Sequence, residues 1–112
     1  MKSKEPRRKK ELFVAPTAQS DLLAIWDYIA ADSPDSADRM GDRFWEAFHQ
    51  LQKYPESGRS SSGLAGTRRL RFWRVGEYQF VYRVTKTMVE IAAILHGSRD
   101  IPAVLREREP GE

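Results

Sequence analysis

The chain has 112 residues, no cysteine and a formal net charge of +3 at pH 7. This length predicts one domain, and the lack of thiols excludes disulfides, thiolate zinc centres, iron–sulfur clusters and cysteine nucleophiles. Because no apolar run approaches the roughly 20 residues of a membrane span, and none follows the basic N-terminus as in a secretory signal, we expect a cytoplasmic protein with no membrane contact.

The first ten residues carry much of the positive charge, with six basic side chains and one acidic. The other 102 residues hold 13 basic and 15 acidic side chains, so the basic character belongs to this segment. We interpret residues 1–10 as a basic disordered tail and residues 11–108 as a single domain. Weak direct contact of the tail with nucleic acid is the less favoured alternative.

A short strand and a helix are predicted next. Residues 11–15 form an apolar run that ends before Pro16, which is typical of a strand. Thr17 is suited to cap a helix that reaches about Ala31. Its apolar positions recur with helical spacing at Leu22, Ile25, Trp26 and Ile29.

Ser33 and Pro34 predict the start of a second helix, because serine is a good N-cap and proline suits the first helical position. The helix should end at Tyr54-Pro55. A link of two or three residues requires the two helices to form an antiparallel hairpin. This region, residues 17–54, is acidic, with seven acids and three bases.

After a loop at residues 56–66, the hydrophobic period changes to two, which predicts strands up to residue 95. A turn at 75–77 separates the first two strands, and residues 101–108 form a short helix or tail. The order β-α-α-β-β-β predicts an α+β fold, an antiparallel α hairpin packed on a mostly antiparallel sheet. Between residues 67 and 86 the chain is basic, with six bases and one acid.

Alternation divides the predicted hairpin of strands into two faces. We expect the helices to cover Leu70, Phe72, Tyr78, Phe80 and Tyr82. We expect an open face formed by Arg69, Arg71, Trp73, Gln79, Val81 and Arg83. Arginines beside an indole on an open sheet face suit phosphate, nucleic acid or an acidic peptide, although solvated arginines balancing the acidic helices are the plainer explanation.

The sequence offers little for other chemistry. The two histidines, His49 and His96, have no neighbouring set of metal ligands, so we expect no metal site and no cofactor. No phosphate-binding glycine loop is present, and the serines at 60–62 have no partner base in sequence.

A series of spaced residues runs from about Phe13 to Leu105. It consists of Ala18-x-x-Asp21-Leu22-x-x-Ile25-x-x-Tyr28-Ile29-Ala30, Pro34, Tyr54-Pro55-x-x-Gly58-Arg59, Arg69-Leu70, Gly76-x-Tyr78-x-x-Val81-Tyr82 and Leu95-His96-Gly97-Ser98-Arg99-Asp100. In order and spacing these residues resemble the ParE-type toxins of bacterial type II toxin–antitoxin modules, also known as plasmid stabilisation proteins. The predicted order of strands and helices also fits the RelE/ParE superfamily.

This resemblance implies a growth-inhibiting toxin that a co-encoded, ParD-like antitoxin neutralises by folding onto it. Characterised ParE toxins interfere with DNA gyrase, whereas RelE-type relatives are ribosome-dependent mRNA endonucleases. The basic positions of the nuclease branch match Arg69, Arg71 and Arg99, and His96 offers a substitute base. Two further positions carry Gln79 and Leu105, which cannot do acid–base work on a phosphodiester.

We therefore favour a gyrase-directed, protein-binding toxin over an enzyme, with a RelE-type endonuclease and a degenerate, non-toxic antitoxin-binding module as the alternatives. For the antitoxin we predict contacts at Arg69, Arg71, Trp73 and Arg83. For the toxic target we predict contacts at His96, Arg99 and Arg106. The catalytic set, if the protein is a nuclease, would be Arg69, Arg71, His96 and Arg99.

Overall fold

The computed structural model describes residues 9–60 and 69–108. It confirms the α+β architecture. The elements are β1 (Glu11–Val14), α1 (Pro16–Asp32), α2 (Pro34–Lys53), a 3-10 turn (Pro55–Ser57), β2 (Arg59–Ser60), β3 (Arg71–Val75), β4 (Tyr78–Val84), β5 (Met88–His96) and α3 (Ile101–Arg108). None of the described helices is long and apolar enough to cross a membrane.

The five strands form one sheet in the order β1-β5-β4-β3-β2. β1 runs parallel to β5, and all other neighbours are antiparallel. β5 lies between β1 and β4, which explains its apolar sequence: Val89, Ile91, Ala93, Ile94 and Leu95 are all buried. The two-residue strand β2 carries no hydrophobic alternation, so the sequence predicted a loop there; the rest of that loop, from residue 61, lies outside the described residues.

The helical hairpin forms as expected at its turn. The Ser33 side chain accepts a hydrogen bond from the backbone N–H of Ser36 at 3.2 Å, and Pro34 takes the first helical position of α2. The prediction of Thr17 as the cap of α1 is wrong. Pro16 already begins that helix, and the capping position falls on Ala15, which has no side chain able to cap it.

Two hydrophobic cores lie on opposite faces of the sheet. The larger is between the sheet and α1–α2 and includes Phe44, Phe48, Phe80 and Tyr82. The smaller is between the sheet and α3, and it contains Leu70, Phe72, Val81, Ala93, Leu95, Val104 and Leu105. The face that was expected to be open is therefore partly covered by α3.

The assignment of the β3 side chains to the two faces was wrong. The turn between β3 and β4 has two residues, Gly76 and Glu77, rather than three, because Val75 pairs directly with Tyr78. Residues paired across strands point to the same face, so odd positions of β3 share a face with even positions of β4. Gly76 supplies the positive φ of 60° that so tight a turn requires.

Candidate functional site

A cleft of about 410 Å³ lies between α1 and the region where β5 ends and β4 begins. Its lining includes Asp21, Tyr28, Tyr78, His96, Ser98 and Arg99. Two of the three predicted target-binding residues, His96 and Arg99, thus share one concave surface. The third, Arg106, is exposed on α3.

Both ring nitrogens of His96 have protein partners. Nδ1 accepts the backbone N–H of Ser98 at 3.1 Å and lies 2.7 Å from the Ser98 hydroxyl. Because Nδ1 acts as an acceptor, the proton of the neutral ring belongs on Nε2, which then donates to Glu77 Oε1 at 3.2 Å. The imidazole also meets the edge of the Tyr78 ring at 5.4 Å between centroids. These contacts fix the orientation of the ring and place a carboxylate, an imidazole and a hydroxyl in one chain of hydrogen bonds.

Tyr78 contributes a neutral phenol to this cleft. Burial raises the pKa of Tyr78 above its ordinary value of 10.0, and the nearby Glu77 carboxylate adds to the shift. The phenol therefore offers a hydrogen-bond donor and acceptor rather than an anion at neutral pH.

The Arg99 guanidinium has no ion-pair partner among residues 9–60 and 69–108, and its side chain is exposed. Only its backbone is held, since the N–H donates to the carbonyl of His96 at 3.0 Å. The neighbouring Asp100 instead accepts the Ala103 N–H at 3.2 Å in the first turn of α3. Arg99 and Asp100 therefore form no ion pair in the described structure, and Arg99 presents its charge to solvent.

Asp21 joins three elements at the floor of the cleft. Its two carboxylate oxygens accept hydrogen bonds from the Arg108 guanidinium at 2.7 and 2.8 Å, which ties α3 to α1. Oδ2 also accepts the backbone N–H of Ile94 at 3.0 Å, on an edge of β5 that β1 does not reach. The hydrogen bond to Asp21 raises the pKa of Arg108 against the opposing effect of burial. Asp21 belongs to the residues that carry the resemblance, but neither of its partners was predicted from the sequence.

The four residues predicted to bind the antitoxin do not form one open face. Arg71 is paired with Tyr82 on the helix side, where its guanidinium donates to the carbonyl of Gly58 at 2.8 Å. Trp73 lies on the same side and packs against the larger core. Arg83 forms an ion pair with Glu90 at 2.8 Å, and Arg69 is exposed just before β3.

The residues considered for phosphodiester chemistry are also separated. Arg71 pairs with Tyr82, whereas His96 pairs with Tyr78, four residues away along β4. With about 3.3 Å per residue and two strand spacings of about 4.8 Å, their Cα atoms lie roughly 16 Å apart. On the opposite face, Leu105 belongs to α3 and is buried against the sheet. No three potential metal ligands cluster within the described part of the chain.

Known proteins resemble this chain in sequence and in fold. The family model described as the ParE toxin of the type II toxin–antitoxin system parDE matches residues 12–101. A Caulobacter vibrioides protein named toxin RelE2 is 40% identical over 82 residues, which cover 73% of this chain and 89% of that protein. A chain from the chromosomal ParDE system of P. aeruginosa superposes with a TM-score of 0.64 at 21% identity, covering 79% of this chain and 96% of the other. At that identity the last match shows the shared fold.

Proposed function

The chain belongs to the ParE toxin family of type II toxin–antitoxin systems, and on that premise we propose that it arrests bacterial growth by binding DNA gyrase. In the same proposal a cognate, ParD-like antitoxin neutralises it in the cytoplasm. Residues 11–108 form the toxin domain, and the protein acts by binding rather than by catalysis.

One observation carries the preference for binding over RNA cleavage. On the sheet face opposite the helical hairpin lie Leu70, immediately before β3, and Phe72, within it. Both side chains are buried against α3. An endonuclease needs charged or ionisable groups that converge on one phosphate, because such groups stabilise the developing charge. The side chains that α3 covers on this face are apolar.

The proposed gyrase contact combines His96 and Arg99 at the rim of the cleft with Arg106 on α3. Arg99 and Arg106 are exposed, and their charges are unpaired among the described residues, so they can pair with acidic groups of a partner without first breaking an internal bond. The imidazole of His96 is held in one orientation by Ser98 and Glu77. A preorganised rim of this kind favours protein recognition.

The proposed antitoxin contacts remain Arg69, Arg71, Trp73 and Arg83. Arg69 is exposed and can pair with an acidic segment directly. Arg71 and Arg83 would have to exchange existing bonds, to the Gly58 carbonyl and to Glu90, for bonds to the antitoxin. We therefore expect Arg69 to contribute more than these two to the affinity.

The test is induced expression in bacteria with two readouts, the DNA damage response and mRNA integrity, beside inhibition of gyrase supercoiling by the purified protein. We expect filamentation, a damage response and intact mRNA. The double variant Arg99→Ala/Arg106→Ala should lose inhibition, since a hot-spot arginine contributes about 2 kcal/mol, roughly 30-fold in affinity. The matched control Arg39→Ala/Lys53→Ala removes two exposed charges from α2 and should stay toxic.

Other results would contradict the proposal in distinct ways. Translation-dependent mRNA cuts without a damage response would establish the endonuclease alternative, which the name of the RelE2 relative also represents. Loss of those cuts in an Arg69→Ala/Arg71→Ala variant would show that these two arginines take part in the cleavage. Normal growth on expression would indicate a non-toxic antitoxin-binding module.

A further inference from the structure

Three large apolar side chains are exposed on the outer side of the helical hairpin. Leu23, Trp26 and Trp45 are 64%, 40% and 62% exposed, respectively. The Trp26 ring lies over Gly41, where an added Cβ would come within 3.2 Å of it, and Trp45 follows Gly41 by one helical turn on the same face. We call Leu23, Trp26 and Trp45 the outer strip. Two exposed indoles at one seam between helices indicate a surface that something covers.

The border of the outer strip is acidic. Asp38, Asp42 and Trp45 have helical spacing on one face of α2, and Asp27 follows Leu23 by one turn on α1. All three carboxylates are exposed. Of the two arginines of α2, Arg39 donates to the Ser36 hydroxyl at 3.2 Å, and Arg43 lies on the other side of that helix, in the groove facing β3. An occupant of this strip should therefore be cationic.

The chain itself supplies a cationic segment at the end of this strip. Lys10 is fixed beside the end of α2, where its backbone N–H donates to the Gln52 carbonyl at 3.1 Å and its own carbonyl accepts from the Gln52 amide at 2.9 Å. Gln52 follows Trp45 by seven residues on the same helix face, about 10 Å along the axis. Residues 1–8 carry four basic side chains and one acidic.

The lengths match as well as the charges. Three extended residues span about 10 Å, so the distance from Lys10 to Arg7 equals the distance from Gln52 to Trp45. A fully extended stretch of eight residues reaches about 26 Å, enough to pass Asp42 and Asp38. Guanidinium over indole is the most favourable cation–π pair, and carboxylates suit lysine ammonium groups.

We propose that residues 1–8 bind to the outer strip of the same chain. The Trp45 indole offers a cation–π site to an arginine of this segment, and the carboxylates of Asp42 and Asp38 offer ion-pair sites to its lysines. The segment covers exposed indole surface and neutralises the acidic border, and tethering at Lys10 gives it a millimolar effective concentration. This proposal is independent of the toxin's target, because no element of it uses the cleft around His96.

A paramagnetic label tests the proposal. The chain has no native cysteine, so a nitroxide on Ser3→Cys is unique, and the indole N–H signals of the three tryptophans report its position. At low salt we expect the Trp45 and Trp26 signals to broaden more than that of Trp73, which packs on the other side of α2. In about 1 M salt, where the Debye length is about 3 Å, the difference should disappear.

Variants separate binding from mere tethering. Asp38→Lys/Asp42→Lys should remove the selective broadening, whereas Glu56→Lys/Glu107→Lys, the same charge change at exposed sites outside the hairpin, should retain it. Trp45→Leu should lower the ratio of bound to unbound segment about two- to five-fold, read from Trp26.

Broadening that survives both high salt and the strip variant would overturn the proposal, because tethering alone would explain it. A second experiment mixes isotope-labelled protein that has no nitroxide with unlabelled protein that carries the nitroxide. Broadening of the isotope-labelled signals in this mixture would also overturn the proposal, because the segment would then bind a neighbouring molecule. Where the strip variant fails to fold, the salt titration of the Ser3→Cys protein decides alone.

Discussion

Replacing Asp21 with alanine should release α3 from the rest of the fold. The carboxylate accepts two hydrogen bonds from Arg108 and one from the backbone N–H of Ile94. Its side chain is only 12% exposed, and that of Arg108 is 27% exposed, so water replaces these bonds incompletely. The substitution leaves a partly buried guanidinium and an orphaned N–H on β5.

The expected cost follows from these contacts. Hydrogen bonds to charged groups contribute about 1.5–3 kcal/mol, and an unsatisfied backbone N–H costs about 1–3 kcal/mol. We expect Asp21→Ala to lower the free energy of unfolding by about 3 kcal/mol, after discounting for the water that reaches Arg108. Asp21→Asn retains an acceptor for Ile94 and should cost about half as much. Arg108→Gln should cost about 1–2 kcal/mol.

Urea unfolding of the two single variants and the double variant measures the pair directly. The double-mutant cycle should give a coupling energy of about 1–2 kcal/mol between Asp21 and Arg108. Asp27→Ala, an exposed carboxylate on the same helix, is the matched control and should change stability by less than about 0.5 kcal/mol. A coupling below about 0.5 kcal/mol would refute the assignment of this pair as the link between α1 and α3.

Three further predictions concern the sheet and its edge. Burial raises the pKa of the Tyr82 phenol above 10.0, so the folded protein keeps a proton that the unfolded chain loses, and stability should fall as the pH rises above 10. In denaturant titrations from about pH 8 to about pH 11, the stability of Tyr82→Phe should fall less steeply than that of the unchanged protein. At neutral pH this variant should be less stable by about 1–3 kcal/mol, because it lacks the two hydrogen bonds of the phenol. Gly58→Ala would place a Cβ 2.5 Å from the Tyr82 hydroxyl and 2.9 Å from a main-chain oxygen, and should cost about 1–3 kcal/mol in urea unfolding, whereas Gly41→Ala meets only an indole edge at 3.2 Å and should be close to neutral. Arg83→Gln breaks the pair with Glu90, but since the arginine side chain is 45% exposed the unfolding midpoint should correspond to a loss of less than about 1 kcal/mol.

The elements that local chemistry specifies were predictable. Ser33 and Pro34 mark the start of α2 through capping and a fixed φ, and both act as expected. An almost wholly apolar run such as that of β5 is typical of a central strand, and β5 has neighbours on both sides. In each case the determining residues are neighbours in the chain, so the physical cause is visible in the sequence.

The face on which each β3 side chain lies depends on whether the turn between β3 and β4 has two residues or three. With a two-residue turn, Arg71 and Trp73 face the helices, and Leu70 and Phe72 face α3; a three-residue turn reverses both pairs. The glycine at position 76 is the local signal that could have indicated the shorter turn, because glycine readily takes the positive φ found there. Alternation alone cannot choose between the two, because it gives the period of a strand and not its phase relative to the next.

Local sequence patterns could not predict contacts between residues that are far apart in the chain. Asp21 and Arg108 are separated by 87 positions, and no periodic pattern connects them. Asp21 is nevertheless among the residues that carry the resemblance to the family. In this chain it holds α3 against α1 through Arg108, which lies outside the residues 12–101 that the family model matches, and it also accepts the backbone N–H of Ile94, which lies within them.

The closure of the second sheet face bears on the choice between binding and catalysis. Freeing that face requires exposing Val104 and Leu105, at about 1.5–3 kcal/mol each, and breaking the bonds of Arg108 to Asp21. A total near 5 kcal/mol would leave the face open in on the order of 10⁻⁴ to 10⁻³ of molecules, since every 1.4 kcal/mol is a factor of ten. An RNA bound in the covered part of this face would spend that free energy to reach Leu70 and Phe72, whose side chains are apolar. The rim with Arg99 needs no such opening, and this difference supports a partner protein at the rim over a nucleic acid on the sheet.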